Sequence, residues 1–395
     1  MKPKIRFKGF EGEWKTSAIG DFTTSFSGGT PTAGASEFYG GNIPFIRSGE
    51  IHESKTELFL TDAGLNNSSA KVVEKGTLLY ALYGATSGEV GISKIKGAIN
   101  QAILAIYPNK TVDKRFLANY LQSPKQKIVG ELLQGGQGNL SGALVKSISV
   151  NYPNNREQQA ISDYVDSLDS QISASTSRLA SLKQMKAASL QAMFPQEGET
   201  VPKIRFKGFE GEWKKVKFSE LYERSSIKND LSFGTDKIIS VANMYFIKNS
   251  RQVDDDYLRS YNIMRLGDIA FEGNKSKNFA HGRLVENTIG DGIVSHVFIV
   301  MKPISKNYDL NFWKYYINNE NIMGNILVRS TKSSTMMTDL VVDDFLKESI
   351  LVPSYEEQIE IGKILTSLDR QISLQSQRLE KLKQIKSACL DKMFV

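Results

Sequence analysis

The chain spells one segment twice. Residues 4–15 (KIRFKGFEGEWK) return letter for letter as residues 203–214. A second repeat closes each half, residues 157–194 returning as 357–394 with half of their positions identical. Between these matched edges the two middles have diverged. Such a chain must solve one folding problem twice, because identical edges demand equivalent surroundings in both halves. It keeps a frame and varies the content, which suits a protein that holds two different readers in a fixed relation.

Each closing repeat reads as one long helix. Ile161, Val165, Leu168, Ile172, Ser175, Leu179, Leu182, Lys186, Ser189 and Met193 follow one another by alternating steps of four and three. Ile361, Leu365, Leu368, Ile372, Gln375, Leu379, Leu382, Lys386, Cys389 and Met393 keep the same beat, and Gly362 is the one glycine or proline in either stretch. A seam this narrow and this long drives coiled-coil pairing, with polar Ser175 and Gln375 setting register at some cost in stability. Each helix would span on the order of 50 Å at about 1.5 Å per residue. Pro153 and Pro353 stand where a helix start belongs. The simplest pairing is intramolecular and antiparallel, which relates the halves by an approximate two-fold axis; a homodimer through the same helices is the competing arrangement. The first helix ends at Phe194 and runs through a short loop into the second copy of the opening segment. The second ends at Phe394, so equivalent halves would bring Val395 beside Met1.

With 395 residues there is room for two or three domains. Hydrophobic content of 40% and aromatic content of 10% supply real cores, and a net charge of +7 leans towards polyanionic partners before membrane. The single cysteine, Cys389, excludes a disulfide framework or thiolate cluster, and three histidines (His52, His281, His296) leave little for a histidine zinc site. The opening residues carry no apolar leader and no run of about 20 apolar residues occurs, so the expectation is a soluble cytoplasmic protein with no membrane partner. The middles, residues 16–150 and 215–350, look mixed α and β. Strands are expected over residues 78–82, 102–106, 267–271 and 297–300, and short amphipathic helices over 116–121 and 312–317. Turn residues such as Gly28-Gly29-Thr30-Pro31 and Gly290-Asp291-Gly292 separate them. The order of elements is shared, which implies two copies of one fold with different surfaces.

The chemistry of an enzyme is hard to find. A base methyltransferase needs an Asn/Asp-Pro-Pro-aromatic motif; Asn151-Tyr152-Pro153-Asn154 lacks the second proline and reads better as a strand-to-helix turn. Gly84-Ala85-Thr86-Ser87-Gly88 lacks the lysine a phosphate-binding loop requires. Asp268, Glu272 and Lys275 imitate a magnesium nuclease set, but the spacing is wrong and no further acid joins them. No serine nucleophile elbow appears. No catalytic and no metal-binding residues are therefore expected, and the chain reads as a binder.

Several stretches resemble one family when taken together: Ser27-Gly28-Gly29-Thr30-Pro31, residues 43–51 (IPFIRSGEI), residues 75–91 (KGTLLYALYGATSGEVG) and Asn100-Gln101-Ala102. The pattern of a proline, a Glu-Gln pair and a long helix occurs at Pro153, Glu157-Gln158 and again at Pro353, Glu357-Gln358. In this order and twice over, the chain resembles the specificity subunit of type I restriction-modification enzymes, across essentially its whole length. The second middle departs more from the pattern, keeping Leu266-Gly267-Asp268-Ile269-Ala270 but not the Gly-x-Thr-x-Gly turn.

The resemblance implies an α+β fold: two mixed α/β target recognition domains joined by two long helices in an intramolecular antiparallel coiled coil with pseudo-two-fold symmetry. The expected bounds are 1–154 for the first recognition domain, 155–194 for the first helix, 195–354 for a linker and the second recognition domain, and 355–395 for the second helix. Each domain would read half of an asymmetric bipartite site on double-stranded DNA, about one helical turn apart. The helices would dock two methyltransferase subunits, with endonuclease/translocase subunits joining outside them. No cofactor would bind this chain; S-adenosylmethionine, ATP and Mg would serve the partner subunits. Candidate DNA contacts are Thr30, Arg47, Ser48, Tyr83, Thr86, Ser87, Gln137 and Asn139 in the first domain. In the second they are Asn243, Asn274, Lys275, Lys277, His281, Arg329, Lys332 and Ser333. A bidentate reader such as Gln137 on adenine or Arg329 on guanine contributes about 1–3 kcal/mol of discrimination. Trp14 and Trp213 are expected to be packing anchors rather than stacking platforms. Lys183, Lys186, Lys381, Lys383 and Lys386 form basic helix faces, either solvated or meeting phosphate or partner subunits. The rival readings are a stand-alone nuclease or methyltransferase with degenerate motifs, and a two-headed DNA-binding regulator without enzyme partners.

Overall fold

The computed structural model describes residues 2–123, 140–248, 254–333 and 337–395. It divides into two compact units, one formed by Met1–Thr176 with Gln377–Val395, the other by Ser177–Ser376.

In the first unit the strand expected over residues 78–82 is Leu78–Ala81. It lies inside a four-stranded antiparallel sheet ordered Thr23–Ser27, Ile103–Pro108, Leu78–Ala81, Val90–Ile92. Successive side chains leave opposite faces of a strand. Leu78, Tyr80, Leu104 and Ile106 therefore pack with Phe116 and Tyr120 of the helix Lys114–Gln122, while Leu79, Ala81, Ile103 and Ala105 pack with Ile46, Val73 and Ile99. Both faces are covered, which is why these runs are unbroken rather than alternating. The second layer is a four-stranded sheet ordered Leu58–Leu60, Tyr39–Ile46, Gly97–Ile99, Lys71–Val73, with one parallel pair between Tyr39–Ile46 and Gly97–Ile99.

The second unit repeats the first sheet, in the order Tyr222–Ser225, Ile299–Pro303, Ile269–Glu272, Arg283–Glu286. Ile269, Phe271 and Met301 face Phe312, Trp313 and Tyr316 of the helix Leu310–Tyr316, and Ala270, Val285 and Val300 face Met264 and Val294. Two strands start later than their apolar runs. Gly267 takes a φ of +89° in a turn closed by Asp268 N–H to Arg265 O, and Val297 is 65% exposed ahead of Ile299. The second layer is where the units differ. Here it is reduced to two pairs, Asn262–Met264 with Gly292–Val294 and Ile239–Ser240 with Tyr245–Phe246, joined by one parallel bridge between Ile238 and Ile293; a separate hairpin pairs Thr331–Ser333 with Thr338–Leu340.

The long helices are Asn155–Ala192 and Tyr355–Lys392. In the first unit the start of the first helix lies against the end of the second: Ile161 and Val165 pack with Leu390, Met393 and Phe394, and Lys386 Nζ meets Asp169 Oδ1 at 2.5 Å. In the second unit the roles are exchanged. Ile361 and Leu365 pack with Leu190, Met193 and Phe194, and Lys186 Nζ meets Asp369 Oδ1 at 2.5 Å. The pairing is thus intramolecular and antiparallel. Charge favours this direction: acids Asp163, Asp166 and Asp169 come early in the first helix, bases Lys381, Lys383, Lys386 and Lys392 late in the second. The seam lysines Lys186 and Lys386 are the places where an apolar residue gives way to an ion pair.

The repeated edges build the same clasp in each unit. Arg6 Nε and Nη2 donate to the two carboxylate oxygens of Glu157, both at 2.7 Å, and Arg205 does the same to Glu357 at 2.7 and 2.8 Å. Both glutamates are 1% exposed. Beside them, Gln158 Oε1 accepts from Asp113 N–H at 2.7 Å and Gln358 Oε1 from Asp309 N–H at 3.2 Å, tying each long helix to the N-cap of the short one. Each glutamine also donates to the carbonyl of the preceding proline, Pro153 or Pro353. That is the physical content of the repeated Pro…Glu-Gln pattern. Trp14 and Trp213, 4% and 3% exposed, pack on Phe116 and Phe312 respectively, as packing anchors. The circular frame also closes: Ile5 N–H donates to Lys392 O at 3.0 Å, as Ile204 N–H donates to Ala192 O at 2.9 Å. Met1 itself lies outside the described residues.

Gly362 has a packing reason. A Cβ there would stand 2.6 Å from Asp309 Oδ1 and 2.9 Å from the Phe312 nitrogen, so the short helix sits directly on the long one. At the matching position of the first helix, Ser162 finds room and donates to Gln158 O and Asp113 Oδ1.

Candidate nucleic-acid interface

In the first unit the candidate loops meet at one turn, Asn100-Gln101-Ala102. Asn100 N–H donates to Ile46 O, just before Arg47; Leu82 N–H donates to Ala102 O, just before Tyr83; Gly29 N–H donates to Ile99 O. Thr30 donates its hydroxyl to the Gln101 side chain. Thr30, Arg47, Ser48, Tyr83, Thr86 and Ser87 therefore stand on loops anchored to a single turn. Tyr83 is half-buried against the core, and Ser87 Oγ donates to Leu82 O at 3.1 Å, bracing its own loop. Gln137 and Asn139 lie outside the described residues.

Arg47 is the most constrained of these. Its guanidinium donates to both carboxylate oxygens of Glu50, at 3.0 and 3.1 Å, and to Glu57 Oε2 at 2.6 Å. Burial pushes the Glu50 carboxyl up, but the bonds from Arg47 and from the Glu57 and Arg47 amides hold it at about 2. The two bonds to Glu50 hold the guanidinium in a fixed plane, and the side chain of its third partner, Glu57, is 82% exposed. Gln101 is the residue sequence reasoning missed: its stretch was noticed, yet its exposed carboxamide at the meeting point of the loops is evident only from the hydrogen bonds.

In the second unit a parallel gathering occurs with different parts. The loop 273–282 joins the hairpin Thr331–Ser333/Thr338–Leu340 through an Asn274–Met337 bridge, two bonds from Thr338 to Gly273 O, and Lys275 Nζ donating to Ser333 Oγ at 3.0 Å. Asn274, Lys275, Lys277, Lys332 and Ser333 are all exposed there. His281 is half-buried next to Glu320, whose carboxyl burial pushes up although the Ala280 amide donates to it. Asn243 is exposed on the turn after Ile239–Ser240, and that turn is bonded to the same cluster by Arg283 Nη2 donating to Ala242 O at 2.6 Å. Arg329 is held elsewhere, on the last turn of the helix Glu320–Ser330, donating from Nε and Nη2 to both oxygens of Glu348 at 2.9 and 2.7 Å.

The acids that imitated a nuclease set have separate partners. Asp268 Oδ2 accepts from Arg265 N–H at 2.7 Å, and Glu272 Oε2 from Arg283 Nε at 2.6 Å. Burial pushes Asp268 up to about 6 against the bond from the Arg265 amide. Among the described residues no group of three or more His, Cys, Asp or Glu could hold a metal ion, and no helix is long and apolar enough to cross a membrane. On the long helices Lys183, Lys381 and Lys383 are exposed, whereas Lys186 and Lys386 are ion-paired.

The sequence matches the family described as Type I restriction modification DNA specificity domain, over residues 11–184 and again over 210–384. The chain belongs to this family. Both matches run from an opening repeat through a middle into a long helix, so each specificity domain is one frame with its content. A type I restriction enzyme MjaIX specificity subunit from Methanocaldococcus jannaschii is 29% identical over 168 residues, covering 40% of this chain; the chain spans 38% of that relative's length. The MjaVIII specificity subunit of the same organism is 20% identical over 96% of this chain and 91% of its own. Among solved structures, the type I restriction-modification S subunit from M. genitalium aligns with a TM-score of 0.60 at 15% identity, covering 100% of this chain and 99% of that one. That likeness shows a shared fold.

Proposed function

We propose that this specificity-domain protein reads an asymmetric, bipartite site on double-stranded DNA, one half per unit, and acts in the cytoplasm. The observation that carries the reading is that two units with the same clasp and the same first sheet end in two different loop clusters. Lys275, Lys277 and Lys332 supply phosphate anchors, which position without specifying; Arg47, Gln101, Asn243 and Asn274 supply the forked and amide groups that read base edges. Thr30, Ser48, Tyr83, Thr86, Ser87, Gln137, Asn139, His281, Arg329 and Ser333 complete the set of candidate contacts. Bringing Arg47 to DNA requires exchanging Glu57, and with it a surface ion pair, for a phosphate or a guanine edge.

The two long helices dock two methyltransferase subunits, with endonuclease/translocase subunits joining outside them. This chain is non-catalytic. S-adenosylmethionine, ATP and Mg serve the partner subunits, which carry out adenine methylation and restriction. The test is co-expression with a methyltransferase subunit in a host free of related systems, followed by mapping of methylated adenines. A single asymmetric motif with a fixed spacer, absent without this chain, is the expected result. A soluble complex that adds no methylation would refute the assignment and leave a defective pair of readers, and failure to form a complex would leave a two-headed DNA binder without enzyme partners.

A further inference from the structure

We propose that Arg283 is a positioning residue for sequence reading by the second unit. It holds two candidate reading loops in one register, so its loss blurs the half-site read by this unit while leaving DNA affinity in place. The proposal rests on the DNA-reading function above.

Arg283 opens the strand Arg283–Glu286, directly opposite Glu272. Its side chain reaches three segments at once. Nε donates to Glu272 Oε2 at 2.6 Å, Nη2 donates to Ala242 O at 2.6 Å, and the guanidinium carbon lies 5.0 Å from the centre of the Phe279 ring. Ala242 precedes Asn243 on one loop; Phe279 belongs to the loop that carries Asn274, Lys275, Lys277 and His281. A planar fork that bonds in two directions and stacks on an aromatic face is a task for arginine and not for lysine. The side chains of Arg283 and Glu272 are only 23% and 10% exposed, so the pair sits beneath the loops rather than among their DNA-facing tips.

The backbone indicates that both loops need holding. Met244, a non-glycine residue, has a φ of +48° in the turn that Arg283 bonds, a conformation that persists only when its surroundings enforce it. Gly282 has a φ of +76°, and a Cβ there would lie 2.6 Å from Glu272 O and 2.9 Å from Thr338 Oγ1. The chain therefore enters Arg283 through a gap with no slack, and the hairpin at Thr338 is fixed by the same contact. The first unit lacks the device: Ala81 occupies the position of Glu272, bonded through its amide to Glu89 O where Arg283 would stand. The effect should therefore be confined to one half of the site.

The test selects duplexes from a random-sequence pool with the full chain, co-expressed with its methyltransferase subunit, as wild type, R283K, R283A and E272Q. Wild type should enrich a two-part motif. The three variants should keep one half and lose discrimination in the other by roughly 5- to 150-fold at each affected base, the range of a good base contact. Affinity for a random-sequence duplex should stay within about twofold, because the lysines that meet phosphate are untouched. A motif unchanged in both halves for R283K would overturn the proposal, since lysine keeps the charge beside Glu272 but cannot span to Ala242. Loss of random-duplex affinity and of amide protection across the second unit in all variants would also overturn it, by making Arg283 merely structural. If wild type itself enriches nothing, the DNA-reading function fails and this proposal with it.

Discussion

Replacing Arg6 with alanine isolates what the repeated edge does for the fold. Glu157 is 1% exposed and Arg6 is 16% exposed at its side chain, and two bonds of 2.7 Å join them. Arg6 also donates to Gly12 O and Glu11 O, which folds the opening segment around the same guanidinium. Removing the arginine leaves a carboxylate buried without its partner, a change that costs about 3–5 kcal/mol. At about 2–4 °C per kcal/mol for a unit of this size, the transition of the first unit should fall by roughly 6–20 °C. The duplication supplies an internal control, because Arg205 and Glu357 make the same clasp in the second unit. Hydrogen exchange followed peptide by peptide should show R6A exposing the start of the Asn155–Ala192 helix while the start of Tyr355–Lys392 stays protected, and R205A should show the reverse. A double-mutant cycle with E157A should give a coupling well above the ~0.2–1 kcal/mol of an exposed pair. A coupling inside that exposed range, or equal exchange changes at both helix starts, would refute the claim that each clasp is buried and local.

Three further outcomes follow from particular contacts. Gly362→Ala should destabilise by about 1–2 kcal/mol in a urea titration despite alanine's better helix propensity, because the added carbon meets Asp309 and Phe312, whereas Ser162→Ala should lose only about 1 kcal/mol with its hydroxyl bonds. Asp268, raised from 3.8 to about 6 by burial, binds its proton more tightly folded than unfolded. Stability from this group is full below about pH 4 and is lost as pH rises to about 6, so Asp268→Asn should gain on the order of 1–3 kcal/mol at neutral pH and little at pH 4; an equal gain at both would refute the burial account. Lys277→Gln and Lys332→Gln should each reduce the slope of log affinity against log salt by about 0.9 in a filter-binding series, with the recognised motif unchanged.

The frame was legible because its signals are local and doubled. A four-three beat identifies a helix without knowledge of its neighbours, and Pro153 and Pro353 mark its start within two residues of Asn155 and Tyr355. Direction of pairing was legible too, since the acids and bases are segregated along the helices. The strand starts at Ile269 and Ile299 were less so, because the apolar runs begin in turns closed by backbone bonds, Asp268 N–H to Arg265 O and Phe298 N–H to Ser295 O. The interface was legible only as regions. Nothing in the letters shows that Arg47 faces two carboxylates, that Arg329 is engaged by Glu348 on another element, or that Gln101 stands where three loops meet. Those facts depend on contacts between residues far apart in the chain, which neither periodicity nor turn chemistry carries.

The same separation explains how one frame can carry two contents. The clasp contacts (Arg6 to Glu157, Gln158 to Asp113, Trp14 to Phe116) recur in the second unit as Arg205 to Glu357, Gln358 to Asp309 and Trp213 to Phe312. Of these residues only Asp113, Phe116, Asp309 and Phe312 belong to the middles, all of them on the short helix that abuts the long one. The first sheet is built in the same strand order in both units, while the second layer changes from one four-stranded sheet to two pairs. Distant, independent sites contribute additively to stability. A loop cluster carried on the strand ends away from the clasp can therefore be rebuilt without disturbing it, provided the short helix keeps its aspartate cap and its phenylalanine. Grafting residues 16–150 in place of 215–350 should accordingly give a folded chain with two like readers, whereas the same graft carrying Phe116→Ala should lose the anchor for its tryptophan and fail to close either long helix onto its unit.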